Sequence, residues 1–131
     1  MAEFIAALRQ AGVERVIDVR ALPLSRRPGF SKSPLRAALD EVGIDYVHLK
    51  ALGTPSEGRS AARVGRQADL ERIYAGQLDL PEAIVQAEQM RELAAEKPSA
   101  LLCYERDPAQ CHRSLLLAAT AGDAEVSHLF P

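Results

Sequence analysis

Cysteine, aromatic residues and long apolar runs are all scarce in this 131-residue chain. Its two cysteines, Cys103 and Cys111, argue against a disulfide scaffold. No apolar run approaches the roughly 20 residues that a membrane span needs. The opening MAEFIAALRQAG carries Glu3 where a secretory signal would carry positive charge. Neither an internal repeat nor a low-complexity tract is present. What is there is an ordinary globular composition, 47% hydrophobic and 26% charged. A chain of this length buries roughly two-thirds of its unfolded surface around one core, so neither disulfides nor a structural metal are required. A single domain in the cytoplasm, with no membrane partner, is the expectation.

The formal charge of −2 conceals a segregation. Arg20 to Arg36 holds five basic residues and no acid, and Lys50 to Arg66 holds four basic residues against Glu57. These stretches carry +5 and +3, which leaves −10 on the remainder. Two cationic segments on an acidic body point to an anionic ligand or nucleic acid.

Hydrophobic spacing and turn chemistry divide the chain into alternating elements. Phe4, Ile5 and Leu8 predict a helix over Ala2 to Gln10 that stops at Gly12. Val13 to Val19, short and rich in valine and isoleucine, reads as a buried strand. ALPLSRRPGFSKSP follows as a loop. Leu35, Leu39 and Val42 then form the stripe of a helix with Ser33 as N-cap, Pro34 at its first position and Gly43 at its end. Ile44 to Leu49 is a second strand, and Lys50 to about Gly65 lacks a clear period and reads as a long loop, partly helical at most.

Gln67 to Ala75 and Leu80 to Glu96 are predicted helices, the second presenting Ile84, Ala87, Met90 and Ala94 on one side. Ser99 to Tyr104 is a third strand. In Asp107 to Ala121, Asp107 is the N-cap, Pro108 takes the first helical position and Gln110 completes a capping box. Glu125 to Leu129 is a final short strand. This order implies a three-layer α/β fold, with a mostly parallel sheet, right-handed crossovers and helices on both faces. It is Rossmann-like and also reminiscent of rhodanese. Ligands bind such sheets beyond the carboxyl ends of the strands, so the segments leaving those ends are expected to converge.

The segment CYERDPAQCHRS, Cys103 to Ser114, is rich in reactive groups. Cys111 falls in the first turn of its helix, where free N–H groups and the helix dipole lower a thiol's pKa, and His112 and Arg113 follow it. It is therefore a candidate nucleophile. Alternatively it opens the buried stripe continued by Leu115 and Ala118. Cys103, inside the strand run, reads as core. A tyrosine-phosphatase loop needs arginine six positions after cysteine, but Ala109 and Leu117 stand there. VIDVR opens many rhodanese domains, yet Cys111 follows a longer, proline-containing turn than their sulfur-carrying cysteine does.

Cys103, Glu105, Cys111, His112, His48 and Asp18 all include donors that zinc accepts. Their spacing matches no standard finger or ribbon, and the adjacent Cys111 and His112 diverge by about 100° on a helix. No cofactor is assigned and metal is the lesser option. Glu105 and Asp18 are candidates for general acid and base, or each anchors an arginine. Arg20, Arg26, Arg113 and one of Arg59, Arg63 or Arg66 make up a cationic set suited to phosphate or carboxylate, unless the basic loop is simply solvated. Phe30, one of six aromatic residues, either stacks on a base or plugs its loop onto the core. His48 and His128 read as structural.

Together, VIDVR, PLSRRPGF, GIDYVHLKALG and LLCYERDPAQCHR resemble the bacterial and archaeal family known as domain of unknown function 488. The resemblance covers about Ile17 to Ala119. It implies an α/β fold and a motif set at Asp18, Arg20, Ser25, Arg26, Phe30, Tyr46, Gly53, Cys103, Glu105, Cys111, His112 and Arg113. The name implies no activity. Family members begin with a strand and a Gly-His-Ser-like turn ahead of the first helix, whereas this sequence opens inside that helix, so one strand and one site residue are expected to be missing.

The leading expectation is an enzyme of unassigned reaction that binds a phosphate-bearing ligand, a nucleotide or nucleic-acid end, at the strand rim. Cys111, Glu105, His112 and Asp18 would do the chemistry, and Arg20, Ser25, Arg26, Phe30, Tyr46, Gly53 and Arg113 would hold the ligand. A non-catalytic nucleic-acid or nucleotide-binding module, a metal-dependent site and a structural interaction domain are the alternatives.

Overall fold

The computed structural model describes residues 1–25, 27–103 and 116 of the chain. Three strands, β1 (Arg15–Asp18), β2 (Asp45–His48) and β3 (Ser99–Leu102), form a parallel sheet in the order β2-β1-β3. Asp18 pairs with His48 on one side and Leu102 on the other. The central strand is therefore the most protected, and all four of its residues are buried, Arg15 and Asp18 included.

Among the described residues up to Cys103, five helices cover the two faces: α1 (Ala2–Gln10), α2 (Lys32–Glu41), α3 (Ser56–Arg63), α4 (Gln67–Leu78) and α5 (Pro81–Glu96). Alternation along β1 sends successive side chains to opposite faces. Val16 packs with Leu8 of α1 and with Leu35 and Leu39 of α2. Ile17 and Val19 pack with Leu52, Tyr74 of α4, and Ala87 and Met90 of α5. The result is the expected three-layer α/β arrangement, with helices on both sides of a parallel sheet.

Helix termination follows one device three times. Gly12, Gly43 and Gly65 stand at φ between 73° and 76°. In each case the next residue's N–H reaches back five positions, as from Val13 to the Leu8 carbonyl at 2.9 Å. This left-handed closure favours glycine.

Some local expectations are corrected. The second helix begins at Lys32, with Ser31 in the N-cap place that the sequence assigned to Ser33. The Lys32 N–H donates to the Pro23 carbonyl at 2.8 Å, which fixes that earlier start. Lys50 to Gly65 is more ordered than expected, with a 3-10 turn at Lys50–Leu52 followed by α3. The buried face of α3 is only Gly58 and Ala61, too weakly apolar to register as a stripe.

On α5 the buried stripe is Ala83, Ala87 and Met90, whereas Ile84 is 57% exposed and Ala94 faces solvent. The Gln86 side chain accepts the Ala51 N–H at 2.7 Å and fixes this rotation. The predicted elements Asp107 to Ala121 and Glu125 to Leu129 lie outside the described residues, apart from the buried Leu116. Among the described residues, no helix is long and apolar enough to cross a membrane.

At the amino rim Asp45 accepts from Lys97 Nζ at 2.7 Å and lies 3.5 Å from Arg15. Lys97 first, and Arg15 less, hold its carboxyl below the ordinary range. A lowered folded-state pKa contributes stability above the unfolded value of about 4 and loses it as pH falls through the folded value. Asp45→Asn should therefore differ from the wild type at pH 6 and converge with it towards pH 2 in thermal melts. The difference should be small and weakened by salt, because the pair is exposed.

Candidate functional site

β1 delivers the first site residues to the carboxyl rim. Asp18 and Arg20 lie two positions apart on extended chain, so their side chains share a face. Tyr46 pairs in register with Val16 and stands on that same face. Arg20 grips Asp18 with both arms of its fork, Nε to Oδ1 at 2.8 Å and Nη2 to Oδ2 at 2.8 Å. The Arg20 backbone N–H adds a third donor at 3.1 Å, and the Tyr46 hydroxyl a fourth at 2.5 Å. Asp18 is fully buried and Arg20 is 2% exposed.

Burial works against a charged Arg20, but its bonds to Asp18 outweigh that and hold its pKa above the ordinary value. Burial, and then the bond to Asp18, also push the Tyr46 hydroxyl up. The trio is one hydrogen-bonded unit whose two formal charges cancel.

Arg20 Nη1 extends that unit into the basic loop by donating to the Phe30 carbonyl at 2.8 Å. His48, at the end of β2, lies with Nε2 2.7 Å from the Arg20 carbonyl. A carbonyl only accepts, so Nε2 carries the proton. The loop is cross-braced: Ser25 N–H donates to Ser31 Oγ at 3.0 Å, and Arg27 N–H to Ser25 Oγ at 3.1 Å. Phe30 is buried, with its ring edge-on to Phe4 at 5.1 Å and the Arg27 guanidinium 4.4 Å from its centroid. It therefore plugs its loop onto the core, and a cation caps the ring.

Gly53 joins the second basic stretch to the first. A Cβ there would lie 2.2 Å from the Ala21 nitrogen, so only glycine lets the segment after β2 pass the segment after β1 at this distance. Asp18, Arg20, Ser25, Phe30, Tyr46 and Gly53 are thus gathered at one end of the sheet. Arg26, Glu105, Cys111, His112 and Arg113 lie outside the described residues. The segment bearing the last four follows β3, whose Leu102 pairs with Asp18.

Cys103 is buried in the core and is disulfide-bonded, which the sparse cysteine count did not foreshadow. Among the described residues no group of three or more His, Cys, Asp or Glu side chains is placed to hold a metal ion. Asp18 and His48, two of the donors considered for zinc, instead bond within the network.

Arg15, Arg72, Arg91 and Lys97, all outside the two basic stretches, are ion-paired. Within the stretches Arg20 is, through Asp18, whereas Arg27, Lys32, Arg36, Lys50, Arg63 and Arg66 meet no carboxylate among the described residues. Sequence reasoning located these stretches but did not single out Arg27 or Ser31, which hold the loop. Their roles depend on contacts back to Phe30 and Ser25, and no local spacing reveals those. Comparison with curated proteins and with solved structures gives no match. The family model described as "Domain of unknown function DUF488" matches residues 1–120, and the chain belongs to that family.

Proposed function

We propose that the protein binds a phosphate-bearing ligand, a nucleotide or nucleic-acid end, at the carboxyl rim and acts on it as an enzyme. The observation that supports this is the loop after β1, where Arg27, and Lys32 at the start of α2, meet no carboxylate among the described residues while the loop's base is pinned by the neutral Asp18–Arg20–Tyr46 unit. The chain leaves β1 through α2 on one face and reaches β3 through α3 to α5 and the other face. The carboxyl ends of β1 and β3 therefore flank a topological switch point, the usual ligand crevice of an open parallel sheet.

In this reading Asp18 and Arg20 are positioning residues, since their strongest donors and acceptors already face each other. Arg26 and Arg113 hold the anion, because the planar fork suits a phosphate. Glu105 moves protons with His112 in support, and Cys111 serves as nucleophile only once the Cys103 disulfide is reduced, since these two are the chain's only cysteines. Phe30 offers little ring surface for a base, which disfavours the purely base-stacking module.

Calorimetry with a nucleoside monophosphate tests the binding half. Arg26→Ala and Arg113→Ala should each weaken affinity by about tenfold or more, the worth of one charge-assisted bond. Affinity equal to wild type in both would overturn it. For the catalytic half, assayed under reducing conditions, Cys111→Ala and Glu105→Gln should keep the affinity while abolishing turnover of the bound phosphate ester. Unchanged turnover would remove the chemistry from those residues.

A further inference from the structure

The phosphate-ligand reading accounts for the first basic stretch but leaves the second without a task. That stretch is placed as deliberately as the first. Gly53 seats against the Ala21 backbone, so the chain entering α3 starts beside the base of the rim loop. Thr54 is buried under α3, and its methyl group would meet a Cβ on Gly58 at 2.3 Å, so the helix is packed down tightly. Gly58 and Ala61 face inward, while Ser60 and Arg63 face solvent. Arg63 donates to Ser60 Oγ at 3.2 Å, and Arg66 continues the positive charge beyond the helix end. Neither arginine meets a carboxylate among the described residues.

Arg63 stands at the end of α3 farther along the chain from the Gly53 anchor, and Arg66 follows it. Arg59 and Arg63 are separated by about 6 Å of helix axis, and the whole of α3 spans about 12 Å. A stacked strand presents one phosphate per about 3.4 Å, so this length matches three or four nucleotides. An isolated nucleotide is too short to engage both the rim loop and the far end of α3. We propose, resting on the phosphate-ligand reading, that the ligand is a single-stranded polynucleotide whose end sits at the rim and whose backbone runs along the Arg63–Arg66 edge.

An anionic bilayer is the competing occupant, since Leu22, Leu24 and Val64 are exposed within the basic stretches. The strand fits better because the outward residues of α3 itself are serine, glutamate and arginine, with no large apolar side chain to enter lipid.

Fluorescence anisotropy decides between them, with a labelled 5′-phosphorylated 12-nucleotide strand, a 2-nucleotide strand and a nucleoside monophosphate as competitors. Affinity should rise with length, and log affinity should fall with log salt by about 0.7 for each phosphate neutralised. Arg63→Gln with Arg66→Gln should lower the ratio of 12-mer to monophosphate affinity about tenfold and flatten the salt slope by about 1.4. Both positions are exposed, so circular dichroism should show the double variant folded. Monophosphate binding with no gain from length, or a variant with an unchanged ratio, would overturn the polynucleotide proposal and leave the rim reading intact. No binding of monophosphate or strand would sink the rim reading itself. Vesicles containing phosphatidylserine that bind more tightly than the 12-mer would assign the track to lipid and also overturn the proposal.

Discussion

Asp18→Ala is expected to cost about 3–5 kcal/mol of folding stability, a large share of the roughly 5–15 kcal/mol that holds a domain of this kind together. The change takes away the only carboxylate, among the described residues, bonded to the Arg20 fork in a site where Arg20 is 2% exposed. The guanidinium is then buried with its charge uncompensated, and the Tyr46 hydroxyl loses its acceptor. Arg20→Met should cost a similar amount by stranding Asp18. Asp18→Leu combined with Arg20→Met should cost far less than the two single changes together, since replacing both members of a buried pair by apolar groups is often close to neutral. Urea unfolding midpoints at unchanged slope would measure all four proteins. A loss below about 1 kcal/mol in Asp18→Ala would mean that the pair does not hold the rim together.

Gly53→Ala is expected to cost about 3 kcal/mol, although it adds one methyl group. Overpacking a fitted site typically costs about 1–3 kcal/mol, and this one sits at the upper end because the obstacle is backbone. The new Cβ would lie 2.2 Å from the Ala21 nitrogen and 2.5 Å from its Cα, where no side chain can swing aside. The φ of Gly53 is −80°, an angle open to alanine, so backbone conformation contributes nothing to the cost. Relief requires the two rim segments to separate, which also predicts weaker ligand binding in the folded fraction. A thermal midpoint equal to wild type would show that the two segments part easily.

Much of this architecture was legible in the sequence because local chemistry and packing agree. Leu8 and Gly12 mark the end of α1 through apolar spacing and a glycine stop, and Val16 and Ile17 of β1 are apolar because the strand is central. The misplaced features are those set by distant contacts. Ile84 outranks Ala83 in hydrophobicity, yet Ala83 is inside, because the rotation of α5 is fixed by Gln86 reaching the Ala51 backbone. Within a stretch legible only as a partly helical loop, the bounds of α3 were not, because it packs through Gly58 and Ala61, residues with little or no side chain to read.

At the site, the Asp-x-Arg spacing announced two side chains on one face of a strand. Whether they would face a ligand or each other was undecidable locally. Tyr46, the Phe30 carbonyl and His48 settle it by enclosing the pair from other elements. The segregation of charge proved the most informative sequence signal. In the structure, Arg27, Lys32, Arg36, Lys50, Arg63 and Arg66 of the two basic stretches meet no carboxylate among the described residues, whereas Arg15, Arg72, Arg91 and Lys97 of the acidic body are ion-paired.

The most direct measurement is a two-dimensional amide NMR titration of the wild-type protein with a nucleoside monophosphate at low salt. Ligand held by the rim cations should shift the amides of Leu24 to Phe30 and those flanking Asp18 and Gly53. Raising the salt should reverse those shifts, because phosphate contacts are screened. Saturating ligand that leaves these amides unmoved, or moves only those of the amino rim around Asp45 and Lys97, would contradict a phosphate site at the carboxyl ends of the strands.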